Sequence, residues 1–267
     1  MIDYFSNLSL RRIWVVVVHE MYLTKHSLEL FFDIFFFPLS NVFLFGLISR
    51  YVFKNASNTS FLLLGVLLWE VVTIVQYNVT VSSMWEIWSH NLTNIFIAPI
   101  SASEYLIAHI VSGIIKTLAT STVLAVTAGV LFKFNILNVG IINLAFFAIN
   151  LTIFAIWIGI ILLGFIFRFG TRMAAISWGL IFLFQPLTAA FFPVSVLPHW
   201  LQDIAHTLPP TYVFEDARKA LSGAGILWSS SIMIFLANIV YLVFAAKIFN
   251  WFFKKSKESG QFARNDL

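Results

Sequence analysis

Apolar residues along this chain gather in six long, continuous runs. They cover roughly Leu30–Val52, Phe61–Met84, Tyr105–Phe132, Gly140–Phe167, Met173–Val194 and Gly225–Phe253. Each run holds the ~20 mostly apolar residues that a helix needs to cross a ~30 Å hydrocarbon layer with its backbone satisfied internally. Barrel strands would alternate apolar and polar positions, and these runs do not. The pattern predicts an all-α integral membrane protein with six transmembrane helices.

Three further stretches carry a helical apolar stripe without being long enough to span. Tyr4 to Lys25 reads as an amphipathic helix lying along the membrane surface with Arg11 and Arg12 toward lipid headgroups. Its apolar segment Ile13–Val18 is too brief for the core of a signal peptide. Between runs two and three, Trp85, Trp88, Leu92, Ile95 and Phe96 recur at i, i+3, i+7, i+10 and i+11, one face of a short helix. That helix either rests on the bilayer interface or docks a partner. It stops at Pro99, and Ser101 with Glu104 then has the S-x-x-E spacing of a capping box that opens the third span.

Between runs five and six, Trp200, Ile204 and Leu208 form one apolar face and Val213, Phe214 and Ala217 another, separated by Pro209-Pro210. About 11 residues per half, at 1.5 Å each, reach ~16 Å, half a bilayer, so this segment predicts a re-entrant helical hairpin. Its charges Glu215, Asp216, Arg218 and Lys219 are expected to face water. Gln185-Pro186 interrupts run five, a kink that either packs or borders a moving pathway. The expected organisation is an interfacial helix over 1–28, a six-helix domain over 29–253 and a poorly ordered basic tail over 254–267.

Composition strengthens this picture. The 267 residues are 60% hydrophobic and only 10% charged, with a mean hydropathy of +0.91, too few charges to coat a soluble domain. The net charge of +4 is no nucleic-acid signal, because the cations lie between apolar runs and form no basic stripe. With the N-terminus inside, Arg11, Arg12, Lys25, Arg168, Arg172, Lys254, Lys255, Lys257 and Arg264 fall on the inner side, against Arg50, Lys54, Lys133, Arg218 and Lys219 outside. That excess puts both termini in the cytoplasm. The absence of cysteine removes disulfides, thiolate metal sites and cysteine nucleophiles together.

Little catalytic chemistry is written in the chain. It holds no G-x-x-x-x-G-K-[ST] phosphate loop, no H-E-x-x-H and no G-x-S-x-G elbow, so catalytic, cofactor-binding and metal residues are all expected to be none. Two ionisable residues, Glu70 and Lys116, fall near the bilayer midplane in consecutive antiparallel spans. A lone charge there costs roughly 2.5–3.5 kcal/mol on insertion scales, so an intramembrane ion pair is the expectation. The pair would be a strut, a proton-coupling site at Glu70 or a contact for a polar substrate group.

Three runs together resemble the permease subunits of type-2 ATP-binding-cassette exporters. They are Asn91 to Glu104 with Pro99-Ile100-Ser101, Phe192-Pro193-Val194-Ser195-Val196-Leu197-Pro198-His199-Trp200, and Leu208-Pro209-Pro210-Thr211-Tyr212-Val213-Phe214-Glu215 with Arg218. The paired prolines and Lys116 depart from the family's pattern. The resemblance implies a homodimer, or a heterodimer with a sister permease, sitting on two cytoplasmic ATPase subunits that bind ATP and Mg. It implies coupling to the ATPase through Trp85, Trp88, Leu92, Ile95 and Phe96. It assigns the hairpin bearing Trp200, Pro209, Pro210, Phe214, Glu215 and Arg218 to an outer gate. It implies residence in a bacterial cytoplasmic membrane among lipids, no enzymatic activity on this chain, and export of a drug, a lipid or a lipid-linked glycan. A proton-coupled secondary transporter using Glu70 is the alternative, although no inverted repeat is visible.

Overall fold

The computed structural model describes residues 8–53, 56–89, 95, 97–170, 174–223 and 228–259. Its helices are α1 (Leu10–His26), α2 (Leu28–Phe31), a π-helical turn (Phe32–Phe36), α3 (Phe37–Phe53), α4 (Ala56–Trp88), α5 (Ala102–Phe132), α6 (Ile141–Phe169), α7 (Ala174–Leu187), α8 (His199–Thr207), α9 (Pro209–Leu221) and α10 (Trp228–Glu258). Among the described residues there is no strand. Leu92, Phe96 and the residues before Leu8 or after Ser259, all included in the sequence expectations, lie outside the described residues.

Among the described residues, five helices are long and apolar enough to cross a membrane: Leu28–Val52, Thr59–Trp88, Ala102–Phe132, Ile141–Phe169 and Ser231–Ser256. The expected fifth span is shorter than its apolar run. α7 has 14 residues, ~21 Å at 1.5 Å per residue, and ends just after Pro186, which cannot donate to the helix ladder. Ala189 then adopts a left-handed conformation at φ 52°, and the chain turns toward a short 3-10 turn at Val194–Val196.

α4 and α6 form the centre, largely buried within the protein, while the first span, α5 and α10 are mostly exposed around them. α4 carries apolar residues on every side, as a surrounded helix does, with Glu70, Gln76 and Asn78 buried among them, and packs on α3, α5, α6 and α7. The rim turns Phe32, Phe36, Phe37, Leu44 and Leu47 away from the bundle, side chains suited to lipid or to another apolar helix.

The first span is widened at one point for a readable reason. Pro38 cannot donate to the carbonyl of Ile34, four residues back. The helix preceding it opens into the π turn, and Thr120 Oγ1 of α5 supplies the missing donor to Ile34 O at 3.3 Å. Asp33 lies in that turn.

The N-terminal helix packs one side on the protein and leaves Trp14, Val15, Val18 and Tyr22 exposed on the other. Ser9 is extended at its N-cap position and the helix runs from Leu10, while Tyr4, where the expected helix starts, lies outside the described residues. Its buried face, Ile13, Val16, Val17, Glu20 and Thr24, repeats at helical spacing and packs on Ala108 and the partly buried Ile107 and Val111 of α5. Protein, and not the bilayer alone, covers its apolar stripe. At the other end of the chain α10 runs on to Glu258, so the first residues of the expected tail are helical.

Candidate functional site

The end of the bundle where α1 docks is held by charge. Glu104, in the first turn of α5, completes the capping box: its backbone N–H donates to Ser101 Oγ at 3.1 Å, and its Oε2 accepts from Ser101 N–H at 2.8 Å. The same carboxylate reaches across to α1, accepting at Oε1 from Ser9 N–H and from Arg12 Nε, each at 2.8 Å. Arg12 therefore points at protein and not at headgroups.

Two turns further along α1, Glu20 is buried against α4 and α5. Lys116 Nζ lies 3.3 Å from Glu20 Oε2 and donates to Asn78 Oδ1 at 2.7 Å. Asn78 is aimed by its own Nδ2, which donates to Ile74 O at 2.9 Å. His109 Nδ1 stands 3.8 Å from the other Glu20 oxygen. Burial pushes the Glu20 carboxyl up, but His109 and then Lys116 outweigh it, leaving its pKa below the ordinary glutamate value. His19, Glu20 and Glu86 bring ligand atoms within 4.8 Å of one another. With the Lys116 ammonium already on Glu20, this is an ion-pair network and a poor cation site.

These contacts correct the expected Glu70–Lys116 pair. α4 and α5 cross where Gly113 meets Asn78: a Cβ on Gly113 would sit 3.1 Å from Asn78 Cβ. That register leaves Glu70 about five residues, ~7 Å along the axis, beyond the level of Lys116. Equal depth counted from the helix ends concealed the offset, and no sequence signal pointed to Glu20, which read as part of a surface helix.

Glu70 instead lines a pocket of about 360 Å³ between the first span, α4 and α7. Its Oε1 accepts from Asn41 Nδ2 at 2.9 Å and its Oε2 from Thr73 Oγ1 at 2.9 Å. Asp33 lines the same pocket, its Oδ2 accepting from Tyr77 Oη at 2.5 Å. Gln76 Nε2 donates to Thr80 Oγ1 at 3.1 Å and Ser177 O at 3.3 Å, tying α4 to α7 across the pocket. Trp178 of α7 stands edge-on to Tyr77, ring centres 5.4 Å apart. A larger cavity of about 760 Å³ between α4, α5 and α6 is mostly apolar apart from hydroxyls and, at its end, Lys133 and Asn135. Leu118 and Val126 on its wall are exposed, making it a groove on the outside of the bundle. The smaller pocket is the better candidate, because it gathers convergent polar groups among apolar walls.

The hairpin lies at the far end of α5 from α1. Pro209 and Pro210 occupy the first turn of α9, and Leu208 before them is extended, as a residue preceding proline prefers. Phe214 is buried on Trp69, ring centres 6.1 Å apart. Glu215 and Arg218 do not face water as expected. Arg218 Nη2 meets Glu215 Oε1 at 3.0 Å, Arg218 Nη1 donates to Ala189 O at 3.0 Å, and Val194 N–H donates to Glu215 Oε1 at 3.0 Å. The pair clamps the turn that follows α7. Gly65 of α4 makes room for that turn, since a Cβ there would fall 2.3 Å from Ala190 O. α8 differs: Leu208 at its end is buried, whereas Trp200 and Ile204 of the same expected face are exposed.

The expected coupling residues divide as well. Trp85 and Trp88 form the last turn of α4, not a separate helix, and stack edge to face at 5.1 Å. No glycine or proline falls between Val79 and Trp88, so nothing stops α4 at the expected break. Ile95 is helical and half-buried.

A bundle of apolar helices of membrane-crossing length defines a multi-pass membrane protein. Residues 12–222 match the family described as ABC-2 type transporter, and the chain belongs to that family. It is an ABC transporter permease, a membrane component that is not itself catalytic and whose family works with ATP-binding subunits. No curated protein matches the chain.

Proposed function

We propose that this permease exports an amphipathic substrate across a bacterial cytoplasmic membrane, powered by two separate ATPase subunits. The observation that carries this reading is the pocket between the first span, α4 and α7, where Asp33, Asn41, Glu70, Thr73 and Tyr77 converge among apolar walls. A substrate with one polar end and an apolar body fits such a lining. The pocket borders the exposed Phe37 and Phe182, so a second copy or a sister permease set against this face would enclose it. Both termini and α1 are cytoplasmic in this scheme, and α8 and α9 form an outer gate. ATP and Mg belong to the partner subunits. The end of α4 at Trp85 and Trp88, with Leu92, Ile95 and Phe96 beyond it, passes their closure to the pocket.

The test is reconstitution of the permease with its copurifying ATPase in proteoliposomes, following ATP-dependent movement of lipid and drug panels. ATP-dependent export supports the reading, and movement driven by a proton gradient without ATP overturns it in favour of a secondary transporter. Within that assay Trp88→Ala with Leu92→Ala should abolish transport while membrane insertion stays intact, because neither residue is needed to span. Unchanged transport removes the coupling role.

A further inference from the structure

The pocket holds acid without base. Asp33 is met by the Tyr77 hydroxyl, and Glu70 by the Asn41 amide and the Thr73 hydroxyl. All three donors are neutral. No lysine, arginine or histidine lines the cavity, and among the described residues no cationic side chain forms a salt bridge with either carboxylate. Elsewhere the protein pairs deeply buried carboxylates with cationic side chains, Glu20 with Lys116 and Glu104 with Arg12.

Two acidic side chains in an apolar span are costly to retain unless a positive group or water meets them. The remaining wall supplies the rest of a cation site. Phe37, Tyr77, Trp178 and Phe182 present aromatic rings, whose faces attract positive charge and pack against apolar surface. An anion would meet two carboxyl groups and no cationic side chain.

We propose that the pocket selects amphipathic cations, a positively charged centre carried on an apolar body, with Asp33 and Glu70 as the specificity-determining residues. This rests on the exporter reading and narrows it: phosphate-bearing lipids and lipid-linked glycans are excluded by charge, while drug-like cations that fit about 360 Å³ are accepted. The apolar body sits against Ile34, Ile74 and Phe182, and the charged centre lies between the first span and α4.

The test uses the full 267-residue chain in lipid nanodiscs and two probes of the same shape and opposite charge, tetraphenylphosphonium and tetraphenylborate. The cation should bind at least tenfold more tightly than the anion. Asp33→Asn and Glu70→Gln should each weaken cation binding at least fivefold, and the double variant at least twentyfold, with melting temperatures close to the parent. Equal affinity for the two probes, or a folded double variant that binds the cation as the parent does, overturns the proposal. Should the double variant fail to fold, the charge discrimination of the parent chain decides alone. ATP-dependent export of a neutral or anionic substrate, indifferent to both substitutions, sinks the cation proposal and leaves the exporter reading standing. Absence of ATP-dependent export of any substrate sinks the exporter reading itself.

Discussion

Glu20 and Glu70 are both buried to within a few per cent, yet they are treated in opposite ways. Glu20 is closed by Lys116 and approached by His109, with Asn78 completing the lysine's coordination. Glu70 receives two neutral donors and faces a cavity. A buried charge that is paired within the chain fixes helices in place. A buried carboxylate that lacks a cation and borders empty space keeps bonding capacity for something that enters. The difference separates the brace at the α1 end from the pocket near the middle of the bundle.

The comparison breaks most visibly at Lys116. Removing it strands Glu20, and breaking a buried pair costs about 3–5 kcal/mol. Lys116→Met should therefore lower the melting temperature in detergent by the largest margin of any variant considered, and Glu20→Gln combined with Lys116→Met should recover most of it. Equal losses in the single and double variants would mean that the ammonium, and not the pair, matters.

The partly buried pair at the hairpin end should fall between the two carboxylates. Arg218→Ala removes the bridge to Glu215 and the bonds to Ala189 O and Ala190 O. Hydrogen bonds to charged groups contribute ~1.5–3 kcal/mol each when buried, and solvent at this rim reduces the total to about 2 kcal/mol. Limited proteolysis between Ala189 and Leu197 should accelerate in step, and an unchanged cleavage rate there would remove the clamp from the account.

Glu70→Gln should cost less than ~1 kcal/mol, because the amide oxygen still accepts from Asn41 Nδ2, while Thr73 Oγ1, whose proton also reaches Glu70 O at 3.1 Å, can accept from the new NH2. Chemical denaturation measures it. A loss as large as that of Lys116→Met would give Glu70 a structural partner and end the contrast.

The smallest effect is that of pH. The Glu20 pKa is depressed on folding, so the folded state holds fewer protons than the unfolded one. Its contribution is complete above the unfolded value of about 4.3 and declines as pH falls through the lower folded value. Melting temperature should show no Glu20-dependent change from pH 8 to 6. Below about pH 4.3 the parent should fall faster than Glu20→Gln, and parallel curves would show that Glu20 is not held as an anion.

Helix type, the capping box at Ser101 and Glu104, the proline-started α9 and the membrane class were all legible in the chain. Each depends on residues within one or two turns of one another, where spacing alone fixes who meets whom. The family runs around Phe192–Trp200 and Leu208–Glu215 were legible for the same reason. The partners of Lys116, Glu70, Arg12 and Arg218 were not. They depend on the register at which helices cross, which Gly113 against Asn78 and Gly65 against Ala190 set through backbone approach. They depend also on whether α1 lies on lipid or on α5, which its amphipathic stripe leaves open, since either partner buries Ile13, Val16 and Val17 equally well. Sequence thus determined which segments are helical and, apart from the fifth run, which of them are long and apolar enough to cross a bilayer. Only tertiary packing decided which buried charge was neutralised inside the chain and which was left facing the pocket, because that choice is made by side chains distant in sequence at a crossing of helices that no local pattern encodes.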